Sequence, residues 1–269
     1  MATSDEVMQI RTRAVERAHS SIGNVTAPTS DLVIGIDFGT TFTGVAYAHS
    51  LAGNTRDISR TQAELSVIAD KVMVIKSWPM TNMQISEKTP TVLAYENGEL
   101  DAWGGRVRLG HQTTVQYFKL GLQEGTGNHY RRPGADDIDR ISLLGGFLND
   151  PDWRHSDLPN KRAVDYAGDY LRAVREYVLN TVLPRQLGTE ILRNENISYA
   201  LTVPAIWTDN AKDLTKRAAG LAGIPMENLV IITEPEAAAL YCATSFRDVQ
   251  LKEGDRFLIC DAGGGTVVN

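Results

Sequence analysis

Two short stretches limit what this chain can fold into. "LVIGIDFGTTFTGVAYA", residues 32 to 48, is an apolar run that stops at Asp37, turns through Gly39, Thr40 and Thr41, and returns as a second apolar run. "FLICDAGGGT", near the end, repeats that grammar with Asp261, then Gly263, Gly264, Gly265 and Thr266. In an open α/β sheet, ligands bind beyond the carboxyl ends of the strands. An Asp at such an end can reach solvent or a metal. A glycine there lets the backbone approach a ligand closely. Successive N–H groups in a turn make a concave anion site. The first stretch alone reads equally well as a tight hairpin with an incidental Asp. The second shifts the balance, because three consecutive glycines cost backbone entropy that a structural turn seldom needs and close approach to a polyphosphate does. Two such turns facing one cleft would hold a nucleotide's phosphates from both sides. Their carboxylates would then hold Mg²⁺ through its waters, since that ion dehydrates reluctantly.

The rest of the chain reads as α/β. "KRAVDYAGDYLRAVREYVLNTVLP" is predicted to be a helix with Ala163, Ala167, Tyr170, Leu171, Val174, Tyr177 and Val178 on one face, stopped by Pro184. The strand "ISYALTV" (197 to 203) follows. A helix capped by Thr208 and ended at Gly223, with Pro225 beyond, comes next. The strand "NLVIIT", a helix over "PEAAALYCAT" and the strand "RFLICD" complete an alternating order. Both runs of the opening stretch are apolar almost throughout, which predicts strands buried on both faces. Residues 51 to 150 are less regular, with strands expected at Val72–Ile75 and Val92–Tyr95 and a turn at Glu96-Asn97-Gly98. Residues 1 to 30 read as an extension, either a docked helix or a frayed tail.

Bulk properties exclude several classes. A formal charge of −6 argues against nucleic acid or an anionic membrane as partner. No stretch approaches the roughly 18 apolar residues of a membrane span. Cys242 and Cys260 both lie in apolar sequence and are expected to be buried free thiols, which suits a reducing, cytoplasmic setting.

With these residues in view, the chain resembles the heat shock protein 70 family of the actin-like ATPase (ribonuclease H-like) fold. "IGIDFGTTFTGVAYA" is similar to that family's first phosphate motif. "ALTVPAIWTDNAKDLTKRAAGLAGI" with "LVIITEPEAAAL" is similar to its first connecting segment, and "FLICDAGGGT" to its second phosphate motif. The three stand in the family's order across most of residues 32 to 267. The long middle region and Ala262 mark a divergent branch. The resemblance implies a first ATPase lobe over 31–255, with an inserted subdomain at about 51–150. It implies that 256–269 opens a second lobe that the chain leaves truncated.

The resemblance also implies roles. Asp37 and Asp261 would orient Mg²⁺-bound waters. Gly39, Thr40, Thr41, Gly263, Gly264, Gly265 and Thr266 would contact the phosphates of ATP or ADP. Glu234 would sit near the metal and the attacking water, or else be a residue stabilised by the helix dipole. Pro204 would relay nucleotide state, with Lys212 in place of the family's partner arginine; alternatively Pro204 only terminates a strand. The family's catalytic lysine aligns best with Arg108, less well with Arg106. An arginine there would slow hydrolysis, since its planar fork is not a point charge. Client proteins or co-chaperones would be partners. Two other readings stay open: a pseudo-ATPase or protein-binding module without catalysis, and a sugar kinase, for which no base or sugar pocket can be assigned.

Overall fold

The computed structural model describes residues 32–49, 72–80, 85–108, 111, 113–123, 161–189, 192, 196–245, 258–259, 261–262 and 267–268. The extension, Cys260, and the turn residues Gly263, Gly264, Gly265 and Thr266 lie outside them.

The main sheet is built on β1 (Leu32–Phe38) and β2 (Phe42–His49), antiparallel across the short turn that follows Asp37. β8 (Ile197–Val203) lies parallel to β1, and β9 (Leu229–Thr233) parallel to β8. β3 (Met73–Val74) and β4 (Lys88–Pro90) pair end to end along the far edge of β2, giving the order β3-β2-β1-β8-β9 with β4 beside β2. The carboxyl ends of β1, β8 and β9 therefore share one rim.

A second, antiparallel sheet runs β6-β5-β7, from β5 (Val92–Glu96), β6 (Glu99–Trp103) and β7 (Thr113–Gln116). Asn97 and Gly98 both take positive φ (51° and 83°), as a two-residue hairpin of this twist requires, so the expected turn is present. α1 (Leu120–Gln123) follows β7.

α2 (Ala163–Tyr177) and α4 (Asp209–Leu221) pack together on one face of the main sheet. The predicted stripe of α2 is buried at Ala163, Ala167, Tyr170, Leu171 and Val174. Thr208 caps α4 by accepting from the N–H of Ala211 at 3.3 Å. At the other end Gly223 is left-handed (φ 80°), and the N–H groups of Gly223 and Ile224 reach the carbonyls of Gly220 and Ala219.

Four expectations are corrected. Pro184 does not stop the helix: a wide turn at Val178–Val182, with the Leu183 N–H on the Val178 carbonyl, leads into α3 (Leu183–Leu187). That widening accommodates a residue that has no N–H and whose ring crowds the carbonyl four residues back. β1 is buried on one face only. Leu32, Ile34, Ile36 and Phe38 point into the core, while Val33, Gly35 and Asp37 are partly or well exposed. Cys242, on α5 (Glu234–Ser245), is an exposed free thiol. Of the predicted strand 256 to 261, only the last residue is in a strand among those described: β10 (Asp261–Ala262) pairs antiparallel with β11 (Val267–Val268).

Candidate functional site

The turn after β1 is shaped by what it leaves out. A Cβ on Gly39 would lie 2.1 Å from the carbonyl oxygen of Phe42, so no side chain fits there. Thr91 fixes the turn from behind. Its hydroxyl donates to the Gly39 carbonyl at 2.9 Å, and its N–H donates to the Thr41 carbonyl at 2.8 Å. In a trans peptide the N–H points opposite to the C=O. The N–H groups of Thr40 and Phe42 are thereby aimed away from Thr91. The Thr40 hydroxyl is buried and has no hydrogen-bond partner. A buried hydroxyl left unpaired costs free energy, so a partner from outside the chain is chemically favoured.

Asp37 stands beside this turn with its side chain 43% exposed. Lys88 Nζ donates to its Oδ2 at 2.8 Å, and the Thr202 hydroxyl, from β8, donates to its Oδ1 at 3.1 Å. Carboxylate, hydroxyls and outward N–H groups form a hard, oxygen-rich set. It fits a magnesium ion held by one carboxylate through water and otherwise by phosphate oxygens. Among the described residues no group of three or more His, Cys, Asp or Glu is gathered to hold a metal by itself.

The second part of the site was not legible in the sequence. Tyr117 takes a left-handed conformation (φ 59°), uncommon for a bulky residue, and turns the chain inward after β7. Phe118 and Lys119 are driven into the core. Phe118 stacks on Phe38 and packs on Tyr170, whose hydroxyl donates to the Pro90 carbonyl. Burial pushes the Tyr170 phenol well above its ordinary pKa, so it remains a donor. Lys119 is 1% exposed and donates to Glu234 Oε1 at 2.8 Å. Its ammonium lies 5.6 Å from the ring centre of Phe38 and 5.4 Å from that of Trp207. Phe38 ends β1, Trp207 follows β8, and Glu234 follows β9. One buried cation thus sits where the carboxyl ends of three parallel strands converge.

Glu234 is held there by a cap. Thr233, Glu234, Pro235 and Glu236 form a capping box: Glu236 Oε2 accepts from the N–H and hydroxyl of Thr233 at 3.0 and 2.7 Å, and the Glu236 N–H donates back at 3.4 Å. Pro235 fits the first turn, where its missing N–H is no loss. Glu234 is then the first helical residue, at the positive end of the α5 dipole.

The other sequence candidates divide. Arg108 and Arg106 are exposed, and the Arg108 backbone exchanges hydrogen bonds with His111. The cation against Glu234 is Lys119, eleven residues later. Pro204 is buried and its carbonyl accepts from Trp207 N–H at 3.2 Å. Lys212 pairs with Asp209 across the first turn of α4 at 3.6 Å. Asp261 occupies the strand entering a second hairpin, opposite Val268, as Asp37 does opposite Gly44 in the first.

These features define a class: an α/β protein whose polar rim, at the ends of parallel strands, carries an anion-directed turn and a buried lysine–carboxylate pair. The comparisons with known proteins agree. No protein-family model matches the chain. Human heat shock 70 kDa protein 12B is 24% identical over 88% of this chain and 39% of its own length. Human heat shock 70 kDa protein 12A is 27% identical over 78% of this chain and 28% of its own length. The chaperone protein DnaK of Prochlorococcus marinus (strain MIT 9515) is 37% identical over 31% of this chain and 14% of its own length. Over most of its length the chain is thus similar, at 24–27% identity, to divergent heat shock 70 kDa proteins. It spans less than half the length of these relatives.

Proposed function

We propose that this chain binds ATP or ADP with Mg²⁺ at the β1–β8–β9 rim and contributes one wall of an ATP-hydrolysing cleft. The observation that carries the reading is Lys119: a buried ammonium at the ends of three strands, beside a turn whose buried Thr40 hydroxyl has no partner. Such a charge is expensive to hold without a task, and functional sites are where such charges gather.

In this reading Gly39, Thr40 and Thr41 receive phosphate oxygens through N–H groups and hydroxyls. Asp37 orients metal-bound water. Magnesium, when bound with the nucleotide, neutralises phosphate charge. Lys119 supplies fixed positive charge and holds Glu234 so that the carboxylate faces the attacking water. Positioning and charge stabilisation then do most of the work of an in-line displacement. Gly263, Gly264, Gly265 and Thr266, after Asp261, would contact the phosphates from the opposite side. Pro204 and Lys212 lie on the segment leading from β8 into α4, which also carries Trp207, so a change at the ammonium could reach them through the indole. Clients or co-chaperones would respond to that change. A lysine at 119 removes the ground for slow hydrolysis that Arg108 had given.

Isothermal titration with Mg·ATP tests the proposal. The folded chain should bind, and Asp37→Ala and Lys119→Met should each weaken binding at least tenfold. Absence of binding to the folded chain, and to any longer form that contains it, would sink the reading.

A further inference from the structure

Lys88 opens β4, outside the turn that follows β1, and its placement is specific. The strand registers put Asp37 opposite Gly44, and Gly44 opposite Lys88, so the three form one row across β1, β2 and β4. Neighbouring strands lie about 4.8 Å apart, so Lys88 must reach across about 9–10 Å of sheet to touch Asp37. It does so by laying its stem over Gly44. A Cβ at position 44 would already touch that stem, 3.4 Å from Cγ and 3.7 Å from Cε, and a larger side chain would lift the lysine off the sheet. Gly44 is buried beneath it. The ammonium arrives at Asp37 Oδ2 at 2.8 Å, while Thr202 occupies Oδ1.

Stability does not account for this arrangement. With side chains 53% and 43% exposed, the pair belongs to a type that contributes little to folding. What it changes is the charge at the carboxylate of Asp37, beside the phosphate-directed turn. We propose that Lys88 is a built-in cation at Asp37, which competes with the divalent ion for that carboxylate and supplies part of the positive charge that bound phosphates need. The inference rests on the nucleotide reading above and adds a regulatory term to it: nucleotide binding by this protein depends less on metal than it would with Asp37 unpaired.

Manganese affinity of the ADP-loaded chain, read from the electron paramagnetic resonance signal of free Mn²⁺, tests this. Lys88→Met and Lys88→Gln should bind Mn²⁺ about three- to tenfold more tightly, because a like charge has left the ion's neighbourhood. Both should bind a fluorescent ADP analogue in excess EDTA more weakly by a similar factor. Lys88→Arg, which keeps the charge, should restore both values. Lys76→Met removes an exposed lysine paired with Glu87 and should change neither. Equal Mn²⁺ affinity in Lys88→Met and the unaltered chain overturns the role of Lys88 while the nucleotide reading stands. Failure of the unaltered chain to bind the ADP analogue, with or without Mn²⁺, overturns both.

Discussion

Lys119 reaches Glu234 from inside a wall of aromatic rings, whereas Lys88 reaches Asp37 over an open strand. Both contacts measure 2.8 Å, and both lie on the same rim of one sheet. Geometry at the contact therefore does not distinguish them; surroundings do. Around Lys119 little water is left to screen the charge, so its field acts at close to full strength and either partner left alone would be stranded. Around Lys88 water and salt screen the pair, and each partner can take another ligand at small cost. One pair is a fixture and the other is exchangeable.

The sharpest way to break this contrast is to truncate the buried lysine. Lys119→Ala should cost about 3–5 kcal/mol in urea denaturation, because Glu234 is left uncompensated. Lys119→Met combined with Glu234→Leu should recover most of that loss, since well-packed apolar replacements of a buried pair are often neutral. Nucleotide binding should not return with stability. If binding did return, the pair would be structural only.

A pair remote from the rim serves as a reference. Asp165, in the first turn of α2, accepts from the Arg162 N–H at 3.0 Å and from its guanidinium. The arginine holds this carboxyl below its ordinary pKa. A folded-state pKa that is depressed contributes stability above the unfolded value and loses it as the carboxyl protonates. Asp165→Asn should thus cost about 1 kcal/mol near neutral pH. The difference between variant and unaltered chain should shrink as the pH falls below about 4. A pH-independent difference would assign the effect to shape rather than charge. The smallest effect is expected at Lys88→Met, which should change the urea midpoint by less than about 1 kcal/mol in equivalent stability. A larger loss would move Lys88 into the class of Lys119.

How much of this was legible depended on how local the cause was. The Asn97-Gly98 hairpin, the Thr208 cap, the Gly223 stop and the apolar stripe of α2 are set by residues a few positions apart, and each is where the sequence puts it. Asp37 at a strand end before a glycine turn is of the same kind. Lys119 is not. Its partner is 115 residues away, and nothing in "YFKLGLQ" announces burial; only the convergence of Phe38, Trp207 and Glu234 creates it. The capping box at Thr233 and Glu236 is set by residues three positions apart and is local in the same sense as the hairpin and the caps. One-sided burial of β1 was hidden for a different reason: Val33 is apolar whichever way it points.

The widened turn at Val178–Val182 carries a consequence for anyone lining this chain up against others. It inserts about 100° of extra rotation, equivalent to one surplus residue, between α2 and α3. An alignment that assumes even pitch through this stretch slips out of step just before Pro184. Excising a residue such as Asn180 would bring the spiral back to regular pitch, and the proline ring would then press on the oxygen one turn behind it. The surplus residue and the proline are tied together, so losing either alone leaves a defect.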